Sequence, residues 1–150
     1  MAVLVPSREA EMGSVNATLT LTNVIDKARA DAGEIAASAI RSVTLTDVLV
    51  DTGATYLGAP PDVIAQLGLR VRGALPIQTA NGVIQARLFS DGELTVMGRA
   101  TTLDVLELPV GTPVLLGVTP MEILGLKPDL WNRRLRLLPL GPNDTYITAL

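Results

Sequence analysis

The chain has 150 residues, and with 48% of them hydrophobic it can bury the core of one ordinary domain. Its net charge of -3, with bases scattered apart from Arg133, Arg134 and Arg136, argues against a nucleic acid partner. No apolar run suits a secretory signal or the roughly 20 residues of a membrane span. We therefore expect a cytoplasmic protein that binds neither nucleic acid nor membrane. The three arginines are expected on a solvated strand face, with ion pairing at an interface as the alternative.

Two residue types are missing, which narrows the possible chemistry. Without Cys or His, the chain cannot form a disulfide, a thiol nucleophile, a Ser-His-Asp triad or a metal site with histidine ligands. The sequence also contains neither a phosphate-binding P-loop nor a dinucleotide glycine fingerprint. We therefore expect no metal and no cofactor, and carboxylates become the leading candidates for catalysis.

The first half of the chain predicts strands and one short helix. Apolar and polar residues alternate over residues 14–22, as in a half-buried strand. The next stretch is rich in Ala but interrupted by Asp31 and Gly33, which predicts a loop, then a strand from about Ile35. The sequence "PPDVIAQLGL" predicts a short helix, with Pro61 in its first turn and Gly68 at its end.

The segment "VLVDTGAT" raises the question of what a carboxylate does at the end of an apolar strand. Val48, Leu49 and Val50 form an unbroken aliphatic run, which is typical of a strand covered on both faces. Asp51 therefore emerges from the core, where an isolated charge is costly. The alternative is a turn aspartate that only caps local N–H groups.

Two dipeptides predict hairpin turns. Asn81-Gly82 lies between two strand-like segments and can supply the positive φ angles of a tight primed turn. Asp91-Gly92 gives a second signal of the same kind, and the following "RATTLDVLELPVG" predicts another strand. Most of the chain is therefore expected to be β.

The later sequence "PVLLGVTPMEILGL" predicts a buried strand, a glycine and a short helix. Thr119 and Glu122 are spaced as a capping box with Pro120 at the first helical position, and "RRLRLLPL" predicts a final strand. A strand, glycine turn and short helix also occur around Asp51. This weak repeat reflects either common reuse of such parts or pseudo-symmetry within the domain.

These residues resemble a known family. The motif Asp51-Thr52-Gly53-Ala54, the hairpin and then Leu115-Leu116-Gly117 occur in the order of retropepsin-like aspartic peptidases, here of a small single-domain bacterial kind. The alanine is similar to that of retroviral members. The resemblance implies a mostly β, closed barrel-like acid-protease fold with one or two short helices and a flap hairpin. We expect a peptidase domain over residues 14–140, with tails at 1–13 and 141–150.

The resemblance also implies a function. Such enzymes place two aspartates side by side, and because this chain has one such motif, a homodimer acting on polypeptide would complete the site. The implied catalytic residues are Asp51, Thr52 and Gly53. The implied substrate-binding residues are Ala54, Thr55, Ala80, Asn81 and Gly82.

Departures from the family leave alternatives open. Many retroviral members carry an Asp and an Arg that form an ion pair where this chain has Thr55 and Val118. A non-catalytic retropepsin-like domain that dimerises or binds peptide is the main alternative to an endopeptidase. A protease that chiefly processes its own precursor is a further one.

Overall fold

The computed structural model describes residues 2–3 and 14–139 of the chain. The predicted tails at 1–13 and 141–150 lie outside the described residues, apart from residues 2 and 3. The strands are β1 Ala2–Val3, β2 Val15–Asn23, β3 Ser42–Val50, β4 Leu57–Ala59, β5 Arg70–Thr79, β6 Gly82–Val96, β7 Arg99–Glu107, β8 Leu115–Leu116, β9 Leu126–Asp129 and β10 Arg134–Leu137. The helices are α1 Val24–Asp31, α2 Pro61–Leu67, α3 Val118–Leu124 and a 3₁₀ turn at Ala37–Ala39.

Six of the strands close into a barrel, in the order β6-β2-β3-β8-β4-β7 and back to β6. The strand β6 makes this closure possible, because its 15 residues pair with β5 over 82–90, with β2 over 92–95 and with β7 over 88–96. The predicted mostly β, barrel-like acid-protease fold is confirmed.

The second predicted hairpin turn is wrong. Asp91-Gly92 lies inside β6, where Asp91 has φ 67° and the pairing with β7 shifts register, so the dipeptide forms a β-bulge. The turn comes later, at Met97-Gly98, whose φ angles of 51° and 83° are those of a primed turn. A positive φ suits both a turn and a bulge, and pairing with β7 selects the bulge.

The stretch after β2 is a helix, not the predicted loop followed by a strand from about Ile35. The helix Val24–Asp31 begins because the side chain of Asn23 accepts a hydrogen bond from the backbone N–H of Asp26, at 3.0 Å. The following strand starts only at Ser42. With this helix, the described residues contain three α-helices instead of one or two.

The two later helices are confirmed, but one predicted cap is not. Pro61 begins α2, and Gly68 ends it with φ 61° in the left-handed region, as the sequence predicts. The predicted Thr119–Glu122 capping box does not cap α3, because the N-cap residue is Gly117 and Pro120 is the third helical residue. Carbonyl groups of the segment after β3 meet the helix N–H donors instead.

The weak internal repeat has a counterpart in the fold. The strands β3 and β8 pair in parallel, and each leads to a helix of seven residues. Both helices end on a left-handed glycine, at Gly68 with φ 61° and Gly125 with φ 63°. The repeated units are therefore neighbours in the barrel.

The core consists of two clusters of buried apolar residues. The larger cluster contains most of the buried side chains, including those of the strands β2 and β3 and of all the buried positions in α2. The smaller cluster consists of Ala54, Ile77, Ala86, Leu106, Leu108 and Leu115. It links the segment after β3 to the β5–β6 hairpin, to the end of β7 and to β8.

The final strands form a separate two-stranded sheet, as β9 and β10 pair in antiparallel fashion. Leu135 is buried in the larger cluster and anchors this hairpin, which confirms the predicted final strand. The guanidinium of Arg99 donates hydrogen bonds of 2.8 to 3.0 Å to the carbonyls of Leu124, Gly125 and Leu138 at its base. The three arginines of the predicted solvated face are exposed.

An ion pair between buried Asp26 and half-exposed Arg41 connects α1 to the residue before β3. Asp26 is buried, and its carboxylate accepts hydrogen bonds from Nε and Nη2 of Arg41 and from the Arg41 backbone N–H. These bonds lower the pKa of Asp26 from its ordinary 3.8 to about 2. The amide of Asn23 donates to the carbonyl of Leu67 at 2.8 Å, which connects the same corner to α2.

We predict that Asp26→Asn destabilises the fold in a pH-dependent way. Because the folded-state pKa lies below 3.8, the carboxylate stabilises the fold above that pH and loses this effect as pH falls toward 2. The cost at neutral pH is on the order of 2 kcal/mol. In urea unfolding, the free energy of unfolding of the wild type should exceed that of Asp26→Asn at pH 7. This difference should disappear between pH 4 and 2. Glu34→Gln, which removes an exposed partner of Arg29, is the control and should cost about 0.5 kcal/mol or less. A gap that persists at pH 2 would contradict the assignment.

Candidate active site

Asp51 lies where two parallel strands of the barrel end. Its backbone N–H donates to the carbonyl of Leu116 at 3.0 Å, directly after the paired residues of β3 and β8. The residue is fully buried, with 0% exposure. The apolar run before it is thus a barrel strand with a neighbour on each edge, and the carboxylate lies at its buried end.

The chain turns back immediately after this aspartate, over residues 51–56, which we call the Asp51 loop. The backbone N–H of Gly53 donates to Oδ1 of Asp51 at 2.9 Å, and the N–H of Ala54 donates to the Asp51 carbonyl at 3.1 Å. Thr52 and Gly53 are exposed at the tip of the turn. The side-chain bond to Gly53 is the local capping that a turn aspartate makes, and here it also fixes the orientation of the carboxylate.

Ala54 and Thr55 do not share the exposure of the loop tip. Ala54 is 1% exposed and belongs to the smaller apolar cluster, while Thr55 is half-buried. Within one chain, the small side chain at position 54 is therefore required by packing.

The first turn of α3 holds the Asp51 loop in place. The N–H of Val118 donates to the carbonyl of Ala54 at 2.8 Å, and the N–H of Thr119 donates to the carbonyl of Thr55 at 3.1 Å. Helix N-termini leave their first N–H groups without helical partners. The loop supplies acceptors for two of them, and Pro120 has no N–H to satisfy.

Gly117 permits this close contact between the loop and the helix. A Cβ at this position would lie 2.4 Å from the carbonyl oxygen of Tyr56 and 2.8 Å from that of Ala54. Its φ of -87° is open to any residue, so the requirement is for space and not for a left-handed conformation. The glycine of the predicted Leu115-Leu116-Gly117 motif thus lies directly behind the Asp51 loop.

The predicted Asn81-Gly82 hairpin is present, but its turn differs in detail. The turn consists of the exposed residues Ala80 and Asn81, between the end of β5 and the start of β6. A positive φ is expected for both Asn81 and Gly82, but of these two only Gly82 has one, at 106°. The side chain of Thr79 stabilises this turn, because its hydroxyl accepts a hydrogen bond from the N–H of Asn81 and donates one to the carbonyl of Gly82.

A groove of about 340 Å³ lies beside the hairpin tip. Residues 79–81 line it from the hairpin, residues 108–110 and 112–113 line it from the loop after β7, and Ile77 and Leu115 complete the lining. Of the predicted site residues, the structure brings Ala80 and Asn81 to this groove. The Asp51 loop does not line it within a single chain, although Ala54 packs in one cluster with Ile77 and Leu115.

Sequence analysis did not identify the loop after β7 as part of the site. The available signal was "PVGTP", a stretch rich in Pro and Gly between two apolar strands. That pattern predicts a loop but does not say which other segment it faces. No cluster of three or more potential metal ligands occurs among residues 2–3 and 14–139.

The comparison with known families decides the assignment. A family model described as an aspartyl protease matches residues 39–126, more than half of the chain. The chain belongs to this aspartyl protease family. The family is of the retropepsin-like type, which confirms the resemblance of the motif. In this family member, the matched residues include the Asp51 loop, the β5–β6 hairpin and Gly117. A search of curated proteins gives no match.

We predict that Gly117→Ala displaces the Asp51 loop. The added methyl group must push against main-chain carbonyls, which cannot move without breaking the bonds to α3. The free energy of unfolding should fall by about 1 to 3 kcal/mol, as for other overpacked sites. Gly73→Ala is the matched control, since a Cβ there meets nothing within 4 Å and φ is not positive. Chemical denaturation measures both variants, and equal stability of the two would contradict the proposed close contact.

Proposed function

We propose that the protein is an aspartic endopeptidase in which water is activated between two Asp51 carboxylates of a homodimer. The observation that carries this proposal is the position of Asp51, buried at the end of two barrel strands in a member of an aspartyl protease family. The sequence contains one Asp-Thr-Gly motif. A complete pair of aspartates therefore requires a second copy of the chain, related by a two-fold axis.

The proposed chemistry depends on a shared proton. Two carboxylates held close together cannot both ionise readily, so one proton is shared, as in other aspartic proteases. The ionised carboxylate removes a proton from the attacking water, and the protonated one donates to the carbonyl oxygen of the peptide bond. The hydrogen bond from Gly53 to Asp51 Oδ1 supports this role by holding the carboxylate in one orientation.

The exposed tip of the Asp51 loop is suited to meet a second copy. Thr52 and Gly53 are the exposed residues of the motif, whereas its carboxylate and Ala54 lie beneath them. We propose that Thr52 hydrogen-bonds across the two-fold axis and that Gly53 permits close approach of the two loops.

The groove supports a polypeptide substrate with apolar side chains. Its lining is mainly aliphatic and proline residues, and the hairpin tip borders it on one side. We propose that the hairpin is a flap, with Ala80, Asn81 and Gly82 folding over bound peptide to exclude water and donate backbone hydrogen bonds. Ala54 and Thr55 are proposed to contact substrate near the paired aspartates.

The cellular location stays a prediction from sequence. In the part of the chain that the structure describes, none of the helices is long and apolar enough for a transmembrane segment. A cytoplasmic location and the absence of nucleic acid and membrane partners are part of the proposal.

We predict that Asp51→Asn abolishes peptide cleavage but preserves the fold. The amide oxygen can still accept the bond from Gly53, so the stability should change by about 1 kcal/mol or less. Loss of the ionisable pair should lower kcat by at least about 100-fold, the usual range for acid–base catalysis. A fluorogenic peptide assay and thermal unfolding measure the two effects. Full cleavage by purified Asp51→Asn protein would exclude this mechanism, and no cleavage by the wild type would favour a non-catalytic peptide-binding domain.

We predict that activity requires two intact chains. At a fixed concentration of wild type, adding an equal amount of Asp51→Asn chain should lower activity to roughly half, because mixed dimers hold one ionisable carboxylate. A ninefold excess should lower it to roughly a tenth. Gly73→Ala/Asp51→Asn serves as a second inactive partner and should act alike. Sedimentation at the assay concentration checks the dimer, and undiminished activity in the mixture would show that each chain works alone.

A further inference from the structure

The outer edge of β5 is paired with a second segment of the same chain. β5 pairs with β6 along one edge, and β1 pairs in parallel with the other edge, with Ala2 opposite Ile77 and Val3 opposite Gln78. These positions lie directly before the hairpin tip. Strand edges present unpaired N–H and C=O groups, which favour the addition of another extended chain.

The usable part of this edge is short. Pro76 has no N–H and interrupts the edge on one side, and the turn at residues 80–81 ends it on the other. A chain that adds to β5 here is therefore confined to Ile77–Thr79. The observed register of β1 begins immediately after the proline and uses two of these three positions.

Two of these three residues border the candidate peptide groove. Ile77 and Thr79 both line it, and Ile77 packs in one cluster with Ala54 of the Asp51 loop. Peptides commonly bind to a sheet edge by adding a strand, with main-chain bonds for affinity and adjacent pockets for side chains. β1 has the extended conformation of such a peptide and occupies the edge that a bound peptide would need.

We propose that the segment containing β1 is an intramolecular inhibitory strand that competes with peptide for the edge of β5 at Ile77–Thr79. The proposal rests on the proposed role of the groove as a peptide site. Two residue pairs contribute few hydrogen bonds, each of modest net strength, so the strand is displaceable. β1 belongs to the same chain as the groove, and an intramolecular competitor acts at a higher effective concentration than a free peptide. Weak pairing is thus sufficient to inhibit without blocking the site permanently.

The test uses the double variant Ala2→Pro/Val3→Pro, which removes the backbone N–H donors of β1. The control is Ala2→Thr/Val3→Thr, which keeps these donors and favours the strand conformation. Hydrogen exchange of the Gln78 amide should be at least about tenfold faster in the proline variant, because the N–H of Gln78 faces β1 while those of Ile77 and Thr79 face β6. The control should exchange like the wild type.

Peptide binding is measured in the Asp51→Asn background so that the result does not depend on cleavage. The probe is a fluorescein-labelled peptide with the sequence of residues 1–8, followed by fluorescence anisotropy. We expect at least about fivefold tighter binding to the proline variant than to the control, since the tethered competitor is gone. With intact Asp51, KM for a fluorogenic peptide should fall while kcat stays unchanged.

The outcomes separate this inference from the proposed function. Equal exchange and equal peptide affinity in both variants would overturn the inhibitory strand, whether or not the wild type cleaves peptide. Faster exchange and tighter binding without cleavage by any variant would support occlusion of the groove by β1 and contradict the peptidase assignment.

Discussion

The main-chain hydrogen bonds between the Asp51 loop and the first turn of α3 are the constraint on which the candidate site depends. They give acceptors to the N–H groups of Val118 and Thr119, while Pro120 brings no donor to the helix start. The helix therefore needs no side-chain cap. It needs instead a residue without Cβ at Gly117, because the loop carbonyls lie so close. One geometric requirement thus accounts for the residues on both sides of the contact.

The contact between the Asp51 loop and α3 includes both positions at which this chain differs from many retroviral members. Many retroviral members carry an acidic residue and an arginine that form an ion pair. At the matching positions this chain has Thr55 and Val118. Both residues nevertheless take part in bracing the loop, through the Thr55 carbonyl and the Val118 N–H. Main-chain bonds within one subunit are insensitive to side-chain charge, so the loop can keep its shape without the ion pair.

Sequence predicted those features that depend on local chemistry, such as the apolar strand before Asp51 and the hairpin tip. The predictions from sequence were wrong or incomplete where two local signals competed, and where contacts with distant segments determine the structure. The cap at Asn23 and the alanine content favour a helix, and they outweigh the breakers that predicted a loop. Asp91-Gly92 permits either a turn or a bulge, and only the register with β7 selects between them. The groove loop at 108–113 is recognisable as a loop, but its position opposite the hairpin follows from barrel closure.

The two halves of the site differ in how firmly they are held. The Asp51 loop is fixed by strand pairing, by α3 and by the packing of Ala54, so the carboxylate has little freedom. Ile77, close to the hairpin tip, belongs to that same cluster, but the tip itself at residues 80–81 is exposed. Within the described residues, the outer edge of β5 pairs with the two residues of β1. Catalysis by paired carboxylates needs rigid geometry, whereas peptide entry needs a surface that can exchange partners. Because the small apolar cluster contains both Ala54 and Ile77, it holds β5 at a fixed distance from the Asp51 loop.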